Sequence, residues 1–495
     1  MIVAFAATKA LPSIILSVNP AMITTRSHFL LSTCFAAAAL ALATPFPLHA
    51  ADAPPAGFTS LWNGKDLSGW YGWGTTDPRT FVALTPEQQA EYKKQSVEGG
   101  PLAENKKGDQ SIHAHWKVDG NEIVNDGNGL YLSTEKDYGD IELLVDYKML
   151  PEGDSGIYLR GVPQVQIWDT TKGDPRGLGQ DKGSGGLWNN DKGSPGKDPL
   201  VHADKPLGEW NHFRIIMVGS RVTVWLNDLL VVDHAILENY FDKKKPLDQR
   251  LPILPRGPIQ LQTHGSEIRW RNLFVREIGS DEACKILASH GQEGYQSIFN
   301  GKDLEGWTAN NGDGPMDMVK VEDGAMVWQE KKGGTPYWNT ELTDFCARVG
   351  FKLPPGGNNG LAIRYPGKGN TAYDGMCESQ VLDDNYEVNK EKIVGKPQPI
   401  DPRQAHGSAY GMVAAARGYQ HPIGEWNFEE VTVKGPTIKV ELNGTVILDT
   451  DLSKVDMENV MAHSKHPGKD RTSGFFGFAG HNDPVQFKDI FIKKL

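Results

Sequence analysis

Apolar and polar residues alternate with a period of two along two stretches of the chain. The apolar positions are Ile141, Leu143, Val145, Tyr147 and Met149 in the first stretch, and Phe345, Ala347, Val349, Phe351 and Leu353 in the second. This period is typical of a β-strand with one face against a core. Each stretch therefore predicts a half-buried strand.

Turn and cap residues predict the local structure around other strands. Asn443-Gly444 lies between β-branched runs and predicts a hairpin, because a type I′ turn needs positive φ at both central residues. One segment carries a helix signal, with Thr85 as N-cap and Pro86 at the first helical position. Many short strands and few helices predict an all-β fold of antiparallel sandwiches.

Blocks of sequence recur in the same order in the two halves of the chain. FTSLWNGKDLSGW at 58–70 corresponds to YQSIFNGKDLEGW at 295–307, and GEWN occurs at 208–211 and again at 424–427. Self-similarity of this kind indicates tandem copies of one module. We therefore predict a first copy over 58–279, a short linker over 280–294 and a second copy over 295–495.

Each copy also carries a segment that the other lacks. The first copy has extra residues between Tyr71 and Trp116, which include the predicted helix. The second copy has a shorter insertion near Tyr386 to Arg403, and its polar, Pro-containing sequence predicts a loop. Insertions collect in loops at the end of a scaffold, where binding usually occurs.

Length and charge narrow the class of protein. A chain of 495 residues suits two or more cores. The 51 basic and 62 acidic residues give a net charge of -11, which argues against nucleic acid as a partner, since a phosphate backbone needs a basic surface.

Residues 1–50 are predicted to be a signal peptide. Arg26 precedes an apolar run that is broken by Pro45 and Pro47, and small residues follow near Ala50. Met22 is an alternative start. A transmembrane anchor would need ~20 apolar residues without such interruption. We therefore expect a periplasmic or secreted protein with no membrane anchor after cleavage. The remaining cysteines, Cys284, Cys346 and Cys377, allow at most one internal disulfide.

The repeated blocks resemble the 3-keto-disaccharide hydrolase family, also described as 3-keto-glucoside lyase and 3-keto-glucal hydratase. Besides the blocks above, SGIYLRG at 155–161 and VQIWD at 165–169 carry the resemblance in the first copy, and NNGLAIRYP at 358–366 and ESQVLDD at 378–384 carry it in the second. The resemblance implies two tandem concanavalin A-like jelly-roll β-sandwiches. It implies sugar chemistry only by analogy, because a fold does not fix a function.

Strand alternation predicts a concave sheet lined by polar and aromatic side chains, which suit a sugar because its hydroxyls need hydrogen bonds and its ring faces need a flat apolar surface. In the first copy the predicted lining residues are Tyr158, Arg160, Gln164, Gln166, Trp168, Asp169, Gln262 and His264. In the second copy they are Arg364, Glu378, Gln380, Asp383 and His481. The second copy thus has a carboxylate where the first has Gln164.

The resemblance implies a specific reaction. A ketone at C3 of a glycoside acidifies the C2 proton, so a base can remove it, the C1 substituent can leave, and water can add back. Such a reaction needs a base, for which His264, His481 and Glu378 are the candidates. It also needs a group that stabilises the enolate oxygen, which could be Arg160, Arg364 or a divalent metal held by His, Asp or Glu side chains. The sequence contains no compact metal-binding motif.

Several alternatives remain open from the sequence. The two histidines could be structural, Glu378 could be solvated, and Arg160 and Arg364 could pair with carboxylates of the sheet. An exported enzyme acting on 3-keto glycosides has a rival in a non-catalytic carbohydrate-binding protein. A third hypothesis gives binding to the first copy and catalysis to the second, since Gln164 corresponds to Glu378.

Overall fold

The computed structural model describes residues 53–100, 111–309 and 316–495. The predicted signal peptide lies outside these ranges. The residues in these ranges belong to one compact unit. Across the described ranges, no helix has both the length and the apolar character that a membrane crossing requires.

The first copy is built from thirteen strands in its described part, with three helices before β3. The strands are β1 (Thr59–Ser60), β2 (Trp70–Trp73), β3 (Trp116–Asp119), β4 (Glu122–Asn125), β5 (Tyr131–Thr134), β6 (Ile141–Met149), β7 (Asp154–Leu159), β8 (Val162–Trp168), β9 (Trp210–Val218), β10 (Arg221–Leu226), β11 (Leu229–Ile236), β12 (Gln260–Leu261) and β13 (Ile268–Glu277). The helices are α1 (Pro78–Val82), α2 (Pro86–Glu98) and α3 (Ile112–His115).

These strands form two antiparallel sheets. The large sheet has the order β11-β10-β9-β6-β13-β4-β3, with β1 beside β13, and the small sheet has the order β2-β5-β12-β7-β8. The inner faces of the two sheets enclose one hydrophobic core. The outer face of the small sheet is the surface for which the sequence predicts the sugar site.

The second copy repeats this arrangement strand for strand. After α4 (Ser280–Ser289), its strands are β14 (Gln296–Ser297), β15 (Trp307–Ala309), β16 (Val319–Glu322), β17 (Ala325–Trp328), β18 (Pro336–Trp338), β19 (Phe345–Lys352), β20 (Asn358–Tyr365), β21 (Cys377–Leu382), β22 (Asn427–Lys434), β23 (Thr437–Leu442), β24 (Thr445–Asp451), β25 (Phe475–Phe478) and β26 (Gln486–Lys494). Helices α5 (Thr371–Asp374) and α6 (Tyr386–Val394) flank β21.

The sheet orders of the second copy match those of the first. The large sheet runs β16-β17-β26-β19-β22-β23-β24, with β14 beside β26, and the small sheet runs β15-β18-β25-β20-β21. The all-β prediction of two tandem jelly-roll sandwiches with short helical insertions is confirmed.

The predicted alternation explains the two cores. All five apolar positions of β6 are buried in the first core, and the corresponding four positions of β19 together with Leu353 are buried in the second. Burying one such aliphatic or aromatic side chain contributes about 1.5–3 kcal/mol. A polar residue at any of these positions would lose that contribution.

The predicted turn and the predicted helix are both confirmed. Asn443 and Gly444 have φ values of 46° and 78°, as a type I′ hairpin between β23 and β24 requires. Thr85 accepts a hydrogen bond from the backbone N–H of Gln88, and the Gln88 side chain accepts one from the Thr85 N–H, which makes a capping box at the start of α2.

The loop predicted near Tyr386 to Arg403 is partly wrong, because its first half is the helix α6. The sequence of α6 is rich in Glu and Lys, which favour helices, and the helix ends at Gly395 in the left-handed conformation. The prolines that suggested a loop come only after this residue, at Pro397 and Pro399.

The segment predicted as a linker contains α4, which packs between the copies. Ala283 and Leu287 of α4 are buried against Ile216 and Val218 on the outer face of the large sheet of the first copy, and Phe428 of the second copy packs on the same cluster. The thiols of the three described cysteines, Cys284, Cys346 and Cys377, are free.

Candidate functional site

A pocket of about 360 Å³ opens on the outer face of the small sheet of the second copy. Strands β20 and β21 form its floor, and α5, the start of α6 and the 400–410 segment form its walls. Its polar and aromatic lining residues are Thr335, Asn358, Asn370, Thr371, Tyr373, Glu378, Gln380, Tyr386, Gln404, Tyr410 and His481. We call this cavity the second-copy pocket.

Glu378 on β21 is the buried acid of this pocket, with only 4% of its surface exposed. Removal of the carboxyl group from water raises the pKa of Glu378 to about 7, although the Thr371 hydroxyl opposes the shift by donating a hydrogen bond of 2.8 Å to Oε2. A carboxyl group with a pKa near neutrality can accept and return a proton at physiological pH.

Gly360 on β20 leaves the space that the Glu378 side chain occupies. A Cβ atom at this position would lie 2.2 Å from Glu378 Oε1, which is too close for any other residue type without displacement of the carboxylate. The strand pairing that sets Ala362 opposite Glu378 and Gly360 opposite Gln380 therefore creates the pocket for the acid.

Gln380 offers a hydrogen-bond acceptor next to this acid. Its amide nitrogen donates to Asn358 Oδ1 at 3.0 Å, which fixes the orientation of the amide group. Its Oε1 is buried and has no hydrogen-bond partner among the described residues. Because an unsatisfied buried acceptor is costly, this oxygen is suited to a ligand hydroxyl.

His481 lies in the pocket wall after β25, at an exposed position. Neighbouring protein atoms desolvate the ring and lower the pKa of His481, an effect that Asp483 opposes. The imidazole is therefore neutral at neutral pH and can accept a proton.

Three tyrosines give the pocket its aromatic surface, and the sequence analysis did not find them. Tyr373 comes from α5, Tyr386 from α6 and Tyr410 from the following segment, where Gln404 donates to its hydroxyl at 3.0 Å. All three lie in connections between strands, beyond the reach of strand alternation. Their position in and around the insertion of the second copy was the available signal.

The corresponding face of the first copy carries its acid on a different strand. Asp154 on β7 stands where the second copy has Asn358, and Gln164 on β8 stands where it has Glu378. Gln166 donates to Asp154 Oδ1 at 2.9 Å and accepts a hydrogen bond from Gln164. These side chains form one connected polar row.

His264 completes this row at the surface. Its Nδ1 lies 3.3 Å from Asp154 Oδ2, and its side chain is 55% exposed. Hydrogen bonding to this carboxylate raises the pKa of His264. The structure therefore brings the predicted residues His264, Gln164 and Gln166 into one row with Asp154, which the prediction did not include.

A segment from the insertion of the first copy covers part of this face. We call residues 74–82, which include α1, the strap. The Thr75 hydroxyl lies 2.7 Å from the Tyr131 hydroxyl and 3.2 Å from the Tyr158 hydroxyl, both on the small sheet. The predicted lining residues Tyr158, Gln164, Gln166 and Gln262 are all buried.

An ion-pair network holds the strap in place. Arg79 lies 2.6 Å from Asp77 within the strap and 2.7 Å from Asp242, which is fully buried. Burial opposes ionisation of Asp242, but its contacts with Arg79 and Lys245 lower its pKa well below the usual range. The strap thus covers part of the first-copy face, whereas the corresponding face of the second copy forms the second-copy pocket.

Three predicted binding residues have structural contacts instead. Trp168 is buried and donates to the Gly183 carbonyl oxygen at 2.9 Å. Asp169 accepts hydrogen bonds from the backbone of Glu152 and Thr171, and Asp383 accepts them from Gly356 and Asn385. Asp169 therefore stabilises the turn before β7, and Asp383 stabilises the turn before β20.

Arg160 and Arg364 lie away from the predicted sugar face, so their prediction as lining residues is corrected. Both residues have positive φ, 54° and 47°, which breaks the strand alternation that the prediction assumed. Arg160 donates to Asp140 at 2.9 Å, and Arg364 donates to Asp344 at 2.8 Å. The structure supports the alternative interpretation, in which each arginine pairs with a carboxylate.

Arg364 also donates to the backbone carbonyl oxygens of Thr343 and Gly435, each at 2.8 Å. Arg160 similarly reaches the carbonyl oxygens of Gly139 and Leu254. The equivalent positions in the two copies therefore serve the same purpose, which is to join loops at the edge of the sandwich. As for a metal, the described part of the chain has no group of three or more His, Cys, Asp or Glu side chains arranged to hold an ion.

Residues 57–276 and 294–493 both match the model of the 3-keto-alpha-glucoside-1,2-lyase-like domain. The chain belongs to this family. It is similar to a 3-keto-disaccharide hydrolase of Bacteroides thetaiotaomicron, with 28% identity over 255 residues that cover 45% of this chain and 86% of the relative. Membership of the family makes the chain a carbohydrate-active protein.

Solved structures are also similar over one copy's length. A candidate glycosyl hydrolase from Parabacteroides distasonis is 27% identical, with a TM-score of 0.35, and the match covers 41% of this chain and 94% of that one. The carbohydrate-binding module CBM66 from Bacillus subtilis is 11% identical, with a TM-score of 0.23 and coverage of 38% and 96%.

Proposed function

We propose that the chain is an exported enzyme that hydrolyses 3-keto glycosides by elimination and hydration in the second-copy pocket. The observation that carries this proposal is the buried carboxyl group of Glu378, whose pKa is raised to about 7 in a pocket lined by hydrogen-bonding groups and tyrosines. The family of the chain and the name of its Bacteroides relative support the substrate class.

In the proposed reaction, Glu378 takes the C2 proton of the sugar, and the electron pair of that bond forms the enolate with the C3 carbonyl. The enolate then expels the C1 oxygen substituent, which leaves as an alcohol after protonation. Water adds its oxygen to C1 and a proton returns to C2. The sum of these steps is hydrolysis of the glycosidic bond.

Other pocket residues have roles that follow from their positions. Thr371 holds the carboxyl group of Glu378 through its 2.8 Å hydrogen bond. The unsatisfied oxygen of Gln380 accepts from a sugar hydroxyl. His481, neutral at the pocket wall, can take the proton of the attacking water, and the tyrosines offer ring faces to the pyranose.

The decisive experiment is to incubate the purified protein with a 3-keto-disaccharide and to follow release of the free sugar. Glu378→Gln should lower kcat by about 10²- to 10⁴-fold, the usual contribution of a general base. Gln164→Asn, at the equivalent position of the first copy, is the matched control and should leave the rate unchanged. A Glu378→Gln protein with wild-type turnover would remove Glu378 from the mechanism.

The alternative function is carbohydrate binding without turnover. It is favoured by the first copy, which has Gln164 at the position of Glu378 and therefore lacks the candidate base. Tight sugar binding by the wild-type protein, with no release of product, would support this function for the whole chain.

Export is a part of the proposal that rests on residues 1–50 alone. Expression of the full chain in a Gram-negative host should yield a mature protein in the periplasm or the medium. N-terminal sequencing should place its first residue near Ala51. A cytoplasmic protein that keeps the apolar run would contradict export and leave the chemistry untouched.

A further inference from the structure

A second and larger cavity, of about 680 Å³, lies between the two copies. Asp140, Arg256 and Glu277 of the first copy stand on one side of it, and Arg417, Tyr419 and His421 of the second copy stand on the other. We call this cavity the junction cleft. Interfaces between domains are a preferred place for ligand sites, and the volume lies within their usual range of roughly 300–1,000 Å³.

Direct contacts between the copies fix the two walls of the cleft. The Tyr419 hydroxyl donates to the Ile253 carbonyl oxygen at 3.0 Å, and the Ser220 N–H donates to the Gly444 carbonyl oxygen at 3.1 Å. Arg221 pairs with Glu441 across the same interface. A ligand would therefore meet a cavity that is already formed, which reduces the entropic cost of binding.

The charges that line the cleft nearly balance. Its four cationic side chains are Arg160, Arg256, Arg417 and His421, and its five acidic side chains are Asp140, Glu277, Asp383, Asp384 and Glu425. Such a lining favours neither an anion nor a cation. It offers donors and acceptors side by side, which suits a molecule whose hydroxyl groups both donate and accept.

His421 and Asp140 leave a gap that such a hydroxyl would fill. The Nε2 atom of His421 is buried without a hydrogen-bond partner among the described residues, and it lies 3.8 Å from Asp140 Oδ2, beyond direct hydrogen-bond distance. Burial opposes charge on the ring, but Asp140, Cys284 and the Trp426 carbonyl oxygen raise the pKa of His421 to about 10. One hydroxyl between these atoms could bond to both.

Tyr419 gives the cleft an aromatic surface. Its ring is half-buried between the copies, with the hydroxyl tied to the first copy. A pyranose ring can stack on such a face while its hydroxyls reach charged groups. Arg256 and Arg417, one from each copy, supply planar donors at the two sides.

We propose that the junction cleft is a separate binding site for a neutral oligosaccharide. The choice of a carbohydrate rests on the proposed function, whereas the choice of a neutral ligand rests on the charge balance of the lining. The segment at 383–386 borders both cavities, since Asn385 lines the cleft and Tyr386 lines the second-copy pocket. The cleft would thus hold a longer sugar chain beside the place where a small glycoside is cleaved.

The test is calorimetric titration of the full-length protein with cellotetraose, maltotetraose, laminaritetraose and xylotetraose. At least one of them should bind, and Arg256→Ala should weaken that binding at least tenfold. Tyr419→Leu should have a similar effect through loss of the ring. Arg269→Ala is the matched control, because Arg269 forms ion pairs with Glu122 and Glu267 outside the cleft.

The two proposals can fail separately in this experiment. Arg256→Ala should leave the rate on a 3-keto-disaccharide unchanged, and Glu378→Gln should leave tetrasaccharide binding unchanged. Binding by none of the four sugars, or binding that survives both Arg256→Ala and Tyr419→Leu, would overturn the cleft site. Tetrasaccharide binding without turnover of the disaccharide would overturn the enzymatic proposal alone.

Discussion

The small sheets of the two copies have the same strand order but present different outer faces. In the second copy the face is an open pocket with the acid Glu378 on β21. In the first copy the strap covers the face, Gln164 replaces the acid, and a carboxylate appears instead at Asp154 on β7. One residue on a strand and the path of one insertion therefore decide what each copy of the shared sandwich can do.

The partners of the two acids deepen this difference. Asp154, the first residue of β7, lies within ion-pair distance of His264 and Arg176. Among the described residues, the Glu378 carboxyl group has a single hydrogen bond, from a neutral hydroxyl, and it lies deep in the pocket. A buried acid without a cationic partner is the arrangement that raises a pKa, so the second copy has the reactive carboxyl group.

The largest effect is expected when the acid is moved from one copy to the other. A protein with Glu378→Gln and Gln164→Glu should lose about 10²- to 10⁴-fold in kcat, as Glu378→Gln does alone. The new carboxylate is not expected to compensate, because the strap covers part of the first-copy face. Recovery of more than a tenth of the wild-type rate in the double variant, measured by product release, would show that the two faces are interchangeable.

A loss of stability in both copies is expected from removal of the paired arginines. Arg160→Ala and Arg364→Ala each leave a carboxylate and several carbonyl oxygens without their donor. The cost should be about 3–5 kcal/mol for Arg160, whose partner Asp140 is mostly buried, and smaller for Arg364, whose partner Asp344 is 36% exposed. Thermal denaturation should show a lower Tm for each variant. A variant of Arg364 that loses turnover at unchanged Tm would return this residue to the catalytic site.

Glu378 should also make the stability of the second copy depend on pH. Its pKa in the folded protein, about 7, lies above the ordinary value of 4.5, so the folded state holds the proton more tightly than the unfolded chain. The stabilisation is present below the ordinary value and is lost as the pH rises through 7.

Glu378→Gln removes this loss, so it should stabilise the protein at pH 8 by up to about 3 kcal/mol and have little effect at pH 4. The measurement is Tm against pH for the variant and the wild type. Glu330→Gln, at an exposed position, is the control and should give no such difference. Parallel Tm curves for wild type and Glu378→Gln would contradict the raised pKa.

The smallest effect is expected from Thr371→Val, which has no equivalent in the first copy. The Thr371 hydroxyl lowers the pKa of Glu378, so its removal should raise that pKa further. The acid limb of the profile of kcat/KM against pH should then move to higher pH by no more than about one unit. This shift corresponds to a fall in kcat/KM at pH 6 of less than tenfold. An unmoved acid limb would mean that another group governs it.

The sandwiches and their repeat could be predicted because their signals are local and periodic. Alternation along β6 and β19 identifies the core face, and Asn443-Gly444 identifies a turn by its φ requirement. Glu378, Gln380 and His481 were predicted as the equivalents of first-copy residues that alternation identified, and the structure brings all three to one pocket.

The remaining parts of the site depend on features that alternation does not describe. Arg160 and Arg364 follow a strand but adopt positive φ, so their side chains leave the face that the period assigns. Tyr373 and Tyr410 reach the pocket from connections whose paths are set by tertiary packing. The strap is held by Arg79 and Asp242, two residues far apart in sequence, and no local pattern marks such a pair.

The helix between the copies has a practical consequence for anyone who wants to study one half alone. Ala283 and Leu287 form an apolar cluster with Ile216, Val218 and Phe428. A cut on either side of α4 would therefore expose apolar area on at least one fragment. Such fragments are expected to aggregate in aqueous solution. A functional assay therefore has to use a protein that contains both copies.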